Sequence, residues 1–88
     1  MTIENEIKRI ERRIKFNLCK MKEQMRLIKM RAEKAEALID CDEGWLQAIA
    51  VVHMNCLNRA SESYNQMYQE VGELRVRLSH LRLELEAA

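Results

Sequence analysis

Three kinds of side chain in this 88-residue sequence could do chemistry: its cysteines, its histidines and a column of cations. Cys19, Cys41 and Cys56 are an odd, widely spaced set with no CxxC pair and no histidine at finger spacing. That pattern suits neither a disulfide framework nor a zinc module, and it fits a reducing compartment. His53 and His80 are the only histidines. Neither stands at metal-ligand spacing from Cys41 or Cys56, no Ser, His and acid set converges, and the E-x-x-H arrangement of di-metal bundles is missing at inward positions. No catalytic residue, cofactor or metal ligand is therefore assigned, and the chain is read as a non-enzyme. His53 falls on an apolar stripe, where it reads first as a satisfied core residue. Its second reading is a pH-sensitive one, because protonating an imidazole packed opposite alanines would weaken the stripe.

The cations are more regular. Lys8, Lys15, Lys22 and Lys29 recur every seven residues, joined by Arg9, Arg12, Arg13, Lys20 and Arg26. Residues 1–39 hold eleven Lys/Arg against six Asp/Glu, and residues 40–88 hold four against eight, so the halves carry +5 and −4. In one reading these cations flank the apolar stripe, lay their stems over it and attract the acidic half. In the other, Lys8, Arg12, Lys15, Lys22 and Lys29 form an anion-binding stripe that tracks the phosphates of a nucleic acid. No aromatic platform or glycine-rich loop accompanies that stripe.

Helices must position all of these residues. There is no proline, and Gly44 and Gly72 are the only glycines, a composition that favours uninterrupted helix. Apolar residues of the first half recur at Ile3, Ile7, Ile10, Ile14, Leu18, Met21, Met25, Ile28, Ala32, Ala35 and Ile39. These steps of three and four predict a helix over 3–39, with a stutter at Ile10, Ile14 and Leu18 that locally relaxes the supercoil. In the second half Leu46, Ala50, His53, Leu57, Ala60, Tyr64, Met67, Val71, Leu74, Leu78, Leu81 and Leu85 alternate four and three without a break. That is a coiled-coil heptad, and it predicts a helix over 45–86. Between them, Asp40-Cys41-Asp42-Glu43-Gly44 combines capping residues, acids and a flexible residue, and predicts a turn over 40–44. Asp42 would cap the second helix, or Asp40 with Glu43 would form a capping box. The rival is one continuous helix of roughly 130 Å, which would bury Asp42 on the stripe at a cost.

The expected fold is thus all-α, a single helical-hairpin domain over 1–88 with two long antiparallel helices. Folding back pairs residues whose numbers sum to about 85, so that Ala35 meets Ala50, Ala32 meets His53, Ile28 meets Leu57 and Met21 meets Tyr64. Large side chains then face small ones, as close packing requires.

Such a hairpin leaves apolar residues outside its seam. Phe16, Cys19, Leu27, Met30, Ile49, Val51, Val52, Met54, Tyr68, Val76 and Leu83 would together expose more apolar surface than a monomer usually carries. The economical cover is a second copy, giving a four-helix bundle, and a partner's helix would serve equally well. Phe16, Leu27, Met30, Trp45, Val51, Val52, Tyr68, Gly72, Val76 and Leu83 are the candidate partner interface. Trp45 reads first as a ring closing the hairpin end over Ala35 and Ile39, and second as a protruding anchor. Gly72 would allow close helix approach. The methionines read as core filling, or as an adaptable groove.

The chain is accordingly expected to be a non-enzymatic interaction module, an assembly subunit, adaptor or small helical chaperone that self-associates and docks partner helices. The alternatives are a small nucleic-acid-associated protein and a helical inhibitor of another protein. The opening residues Met1 to Glu6 lack a basic segment followed by an apolar one, so no leader peptide is expected. Trp45 to Leu57 is the most apolar stretch, yet it is shorter than the roughly 20 residues that span a bilayer and reads as core. A cytoplasmic protein is expected, the nucleus remaining open.

Overall fold

The computed structural model describes residues 2–87; Met1 and Ala88, the outermost residues of the expected domain, lie outside that range. Two helices, α1 (Ile3–Ile39) and α2 (Gly44–Ala87), pack against each other in an elongated hairpin. Its extents are 68 × 16 × 14 Å. Thr2 caps α1, its hydroxyl accepting from the Asn5 amide at 3.2 Å. Glu4 and Glu6 follow in the first turn, where carboxylates suit the positive end of the helix dipole.

The seam of α2 follows its heptad. Ala50, Val71, Leu78 and Leu81 are buried and Leu46, His53, Leu57, Ala60, Tyr64, Met67 and Leu74 are half-buried; only Leu85, near the open end, is left exposed. The seam of α1 follows the expected apolar residues only in part. Its inward positions are Ile3, Ile7, Ile10, Ile14, Asn17, Met21, Gln24, Ile28, Arg31, Ala35 and Leu38. These steps alternate four and three throughout, so the expected stutter is absent. Asn17 is 2% exposed while Leu18 beside it is 36% exposed, and Met25, Ala32 and Ile39 also turn outward. A heptad on α2 needs a heptad opposite it to keep both stripes in contact, and α1 keeps that phase by burying Asn17 and half-burying Gln24 and Arg31. The helix alignment is the expected one to within a residue or so: Arg31 meets His53, Arg13 meets Glu70 and Glu6 meets Arg77. His53 therefore faces Arg31 rather than Ala32.

The chain does break at its midpoint, but not through an aspartate cap. The Leu46 and Gln47 amides donate to the Glu43 carbonyl at 3.1 and 3.2 Å, which places Glu43 at the start of α2. The Gln47 side chain closes the turn by donating to the Cys41 carbonyl at 2.8 Å. The Glu43 carboxylate accepts from the Trp45 indole. Trp45 itself stands 63% exposed, so it does not close the hairpin end over Ala35 and Ile39. The stretch from Trp45 to Leu57, expected as core, buries only Ala50 fully.

Candidate partner-docking face

With one heptad facing another, the residues next to each seam fall on two long faces. One is crossed by ion pairs, with shallow pockets of about 400 and 260 Å³ beside them, lined mostly by charged residues. Arg13 Nε donates to Glu70 at 2.8 Å, and Arg77 donates to Glu6 through both Nε and Nη2. The Arg13 and Arg77 guanidinium groups hold the Glu70 and Glu6 carboxyls below the usual carboxylate range. These pairs join an α1 cation to an α2 acid in one case and an α1 acid to an α2 cation in the other. The basic helix is therefore not simply laid on an acidic one. Phe16 borders this face with Arg13 and Lys20 each 5.6 Å from its ring centre, so two cations lie over a half-exposed aromatic.

The opposite face is open. Glu11, Leu18, Met25, Ala32 and Ile39 form its α1 row at seven-residue spacing, and Met54, Ser61, Tyr68, Arg75 and Arg82 its α2 row. Among the described residues one ion pair, Glu11 with Arg82 at 3.7 Å, crosses it near the open end of the hairpin. Beyond that pair a shallow groove runs toward the turn. Its first section, about 390 Å³, is lined by Glu11, Ile14, Arg75, Leu78, Ser79 and Arg82. The next, about 140 Å³, is lined by Leu18, Met21, Tyr68, Val71, Gly72 and Arg75. The third, about 350 Å³, is formed by Leu18, Met21, Met25 and Tyr64, with Lys22 at its border. Arg75 is shared by the first two sections, and Leu18 and Met21 by the last two, so the groove is continuous.

Polar groups interrupt the seam between these faces. The Asn17 Nδ2 is buried without a hydrogen-bond partner. The amide is close enough to Glu70 to favour its charged form, yet closes no bond of ordinary length. Such a group costs about 1–3 kcal/mol of desolvation. Further along, Arg31 Nη1 lies 2.8 Å from His53 Nδ1. A guanidinium can only donate, so Nδ1 accepts and the proton of the neutral ring sits on Nε2. Partial burial, followed by Arg31 and Lys34, lowers the pKa of His53 from its ordinary value.

Of the candidate interface residues, Phe16, Leu27, Trp45, Val51, Val52, Tyr68, Val76 and Leu83 are exposed. Met30 is half-buried. Gly72 is exposed beside Tyr68, and an added Cβ there would meet nothing within 4 Å, so it brings no two helices of the hairpin together. Leu18 and Met25, expected on the seam from their apolar character, instead floor the groove; the two adjoining steps of four that end at Leu18 mark the point where the apolar stripe leaves the heptad phase. Lys8, Arg12, Lys15, Lys22 and Lys29 are all exposed, and none makes an ion pair among the described residues. Cys19 is exposed, Cys41 and Cys56 half-buried, and all three are free. No cluster of potential metal ligands occurs among the described residues, and no helix there is long and apolar enough to cross a membrane. Compared with models of protein families, with curated proteins and with solved structures, the chain finds no match.

Proposed function

We propose that the chain is a non-enzymatic helix-docking module, a coiled-coil hairpin that self-associates and receives partner helices as an assembly subunit, adaptor or small helical chaperone. One observation carries this reading: the apolar row Leu18, Met25, Ala32 and Ile39 lies beside the seam rather than in it, and the hairpin leaves Leu18, Met25 and Ile39 36–48% exposed. A helix with apolar residues at the seam and in one flanking row has the wide apolar face of a bundle helix, broader than a two-helix pair requires. The uncharged stretch from Gly44 to Asn58 adds to it, since a helix apolar on all sides is normally enclosed. Self-association into a four-helix bundle would also cover Val76 and Leu83, which share a row on the outside of α2.

The test is oligomer mass by light scattering. Val76→Asp with Leu83→Asp should lower the mass while helical circular dichroism is retained, and an unchanged mass removes the outer α2 row from the self-association surface. The reading of the lysine row as a nucleic-acid surface rests on those lysines having no intramolecular carboxylate partner. The apolar floor beside them is what favours a helix instead.

A further inference from the structure

The open groove carries a charge pattern that specifies what it receives. Lys15, Lys22 and Lys29 stand one turn from Leu18, Met25 and Ala32, so the lysine row runs along the α1 edge of the apolar floor. Lys22 borders the groove section formed by Leu18, Met21, Met25 and Tyr64. The α2 edge is different. Its flanking row is Val51, Asn58, Asn65, Gly72 and Ser79, which is small and uncharged. Between Leu18 and Met25 the groove therefore has an apolar floor and one cationic wall, with a low α2 wall whose charges, Arg75 and Arg82, lie toward the open end.

A second copy does not answer this pattern. Laid face to face, its lysine row would meet either the same lysines or the α2 row, and the carboxylates it brings to the face, Glu4, Glu11 and Glu86, are confined to the open end, with Glu11 already paired with Arg82, so no acidic row matches Lys15, Lys22 and Lys29 together. A nucleic acid would satisfy the lysines but leave the apolar floor without a complement. We propose that this groove, if the chain is the helix-docking module inferred above, binds a foreign amphipathic helix with an apolar stripe and acidic residues at seven-residue spacing along one flank. The apolar stripe covers Leu18, Met25 and Tyr68, and the acids reach Lys15, Lys22 and Lys29. Self-association is left to the other apolar surfaces of the hairpin. Lysine stems lie over the edge of the docked helix while their ammonium groups stay hydrated, so the charges select the partner and its orientation more than they bind it.

The experiment uses the whole chain and fluorescein-labelled helical peptides that share a leucine stripe and carry glutamate, glutamine or lysine on one flank. Fluorescence anisotropy should rank them glutamate, glutamine, lysine, with about tenfold or more between first and last at low salt and a smaller gap at high salt. Lys15→Glu with Lys22→Glu and Lys29→Glu should reverse that order. Leu18→Asp with Met25→Asp should weaken all three peptides, circular dichroism verifying that the variants stay helical. Equal affinity for the three peptides overturns the proposal but leaves helix docking standing. Binding that survives the Leu18 and Met25 substitutions also overturns it, by placing the site elsewhere. Tighter, salt-dependent binding of a DNA duplex than of the acidic peptide makes the lysine row a phosphate surface instead. Failure of every peptide, together with a monomeric chain, overturns the docking module itself.

Discussion

Asn17 and His53 are the residues at which the packing of this hairpin is most exposed to test. Replacing Asn17 with leucine removes a buried amide that has no hydrogen-bond partner and supplies apolar contact to Met21 and the α2 seam. The variant should unfold at higher denaturant, by about 1 kcal/mol or more, with an unchanged m-value. A single polar residue in a seam fixes alignment and oligomer state, so the same variant should populate more than one oligomer in sedimentation velocity. His53 acts through its proton. Its folded-state pKa lies below the ordinary value of 6.5, so the unfolded chain takes up the proton first. The stability it contributes is complete above that pH and is lost as pH falls through the lower folded value. Glu6 and Glu70 are also depressed, but from 4.5, and their contribution is lost only in stronger acid. Melting temperature should therefore fall between about pH 7 and pH 5 in the wild type and fall less in His53→Gln, whose amide oxygen still accepts from Arg31. Equal falls in both would show that another group governs the transition.

At the scale of the element, α1 is where sequence and structure part. The second helix was legible almost residue by residue, because its seam residues are also its most regularly spaced apolar ones. In α1 the expected apolar stripe and the inward residues coincide through Ile14 and again at Met21, Ile28 and Ala35. At the alternate positions the apolar set steps to Leu18, Met25, Ala32 and Ile39, while the inward set steps to Asn17, Gln24, Arg31 and Leu38, of which Asn17 alone is fully buried. Apolar character alone places Leu18 inside; only the uninterrupted heptad of α2, which must be met by another, places Asn17 there. Trp45 was misplaced for a related reason, since size and aromaticity argue for burial but its start-of-helix position and its bond to Glu43 hold the ring outside. The helix phase has a direct consequence for stability. Ile10→Ala, at a position 3% exposed, should cost about 2–4 kcal/mol in urea unfolding. Leu18→Ala should cost less, about 1 kcal/mol, because that side chain, 36% exposed, flanks the packed seam rather than filling it. Comparable losses at the two sites would restore the stutter.

For the molecule as a whole, the hairpin is narrow and long, and a two-helix body can enclose only one stripe per helix. At 10.5 kDa it buries a smaller share of its surface than a larger domain would, and its apolar rows have no third element to cover them. Phe16, Leu27, Val51, Val52, Tyr68, Val76 and Leu83 lie outside as their spacing requires, which is why the exposed apolar rows could be anticipated while the groove between Leu18 and Tyr68 could not. That groove depends on the helix phase, and the phase depends on polar residues that no hydrophobic pattern marks. Self-association and helix capture are both ways of covering the same excess of apolar surface. The measurement that reaches this claim most directly is the light-scattering mass of the wild-type chain over a range of micromolar concentrations, alone and with a helical peptide. A mass of two chains, or one rising with concentration or with peptide, is what the excess apolar surface predicts. A fully helical particle of 10.5 kDa that stays at that mass in every sample would contradict it.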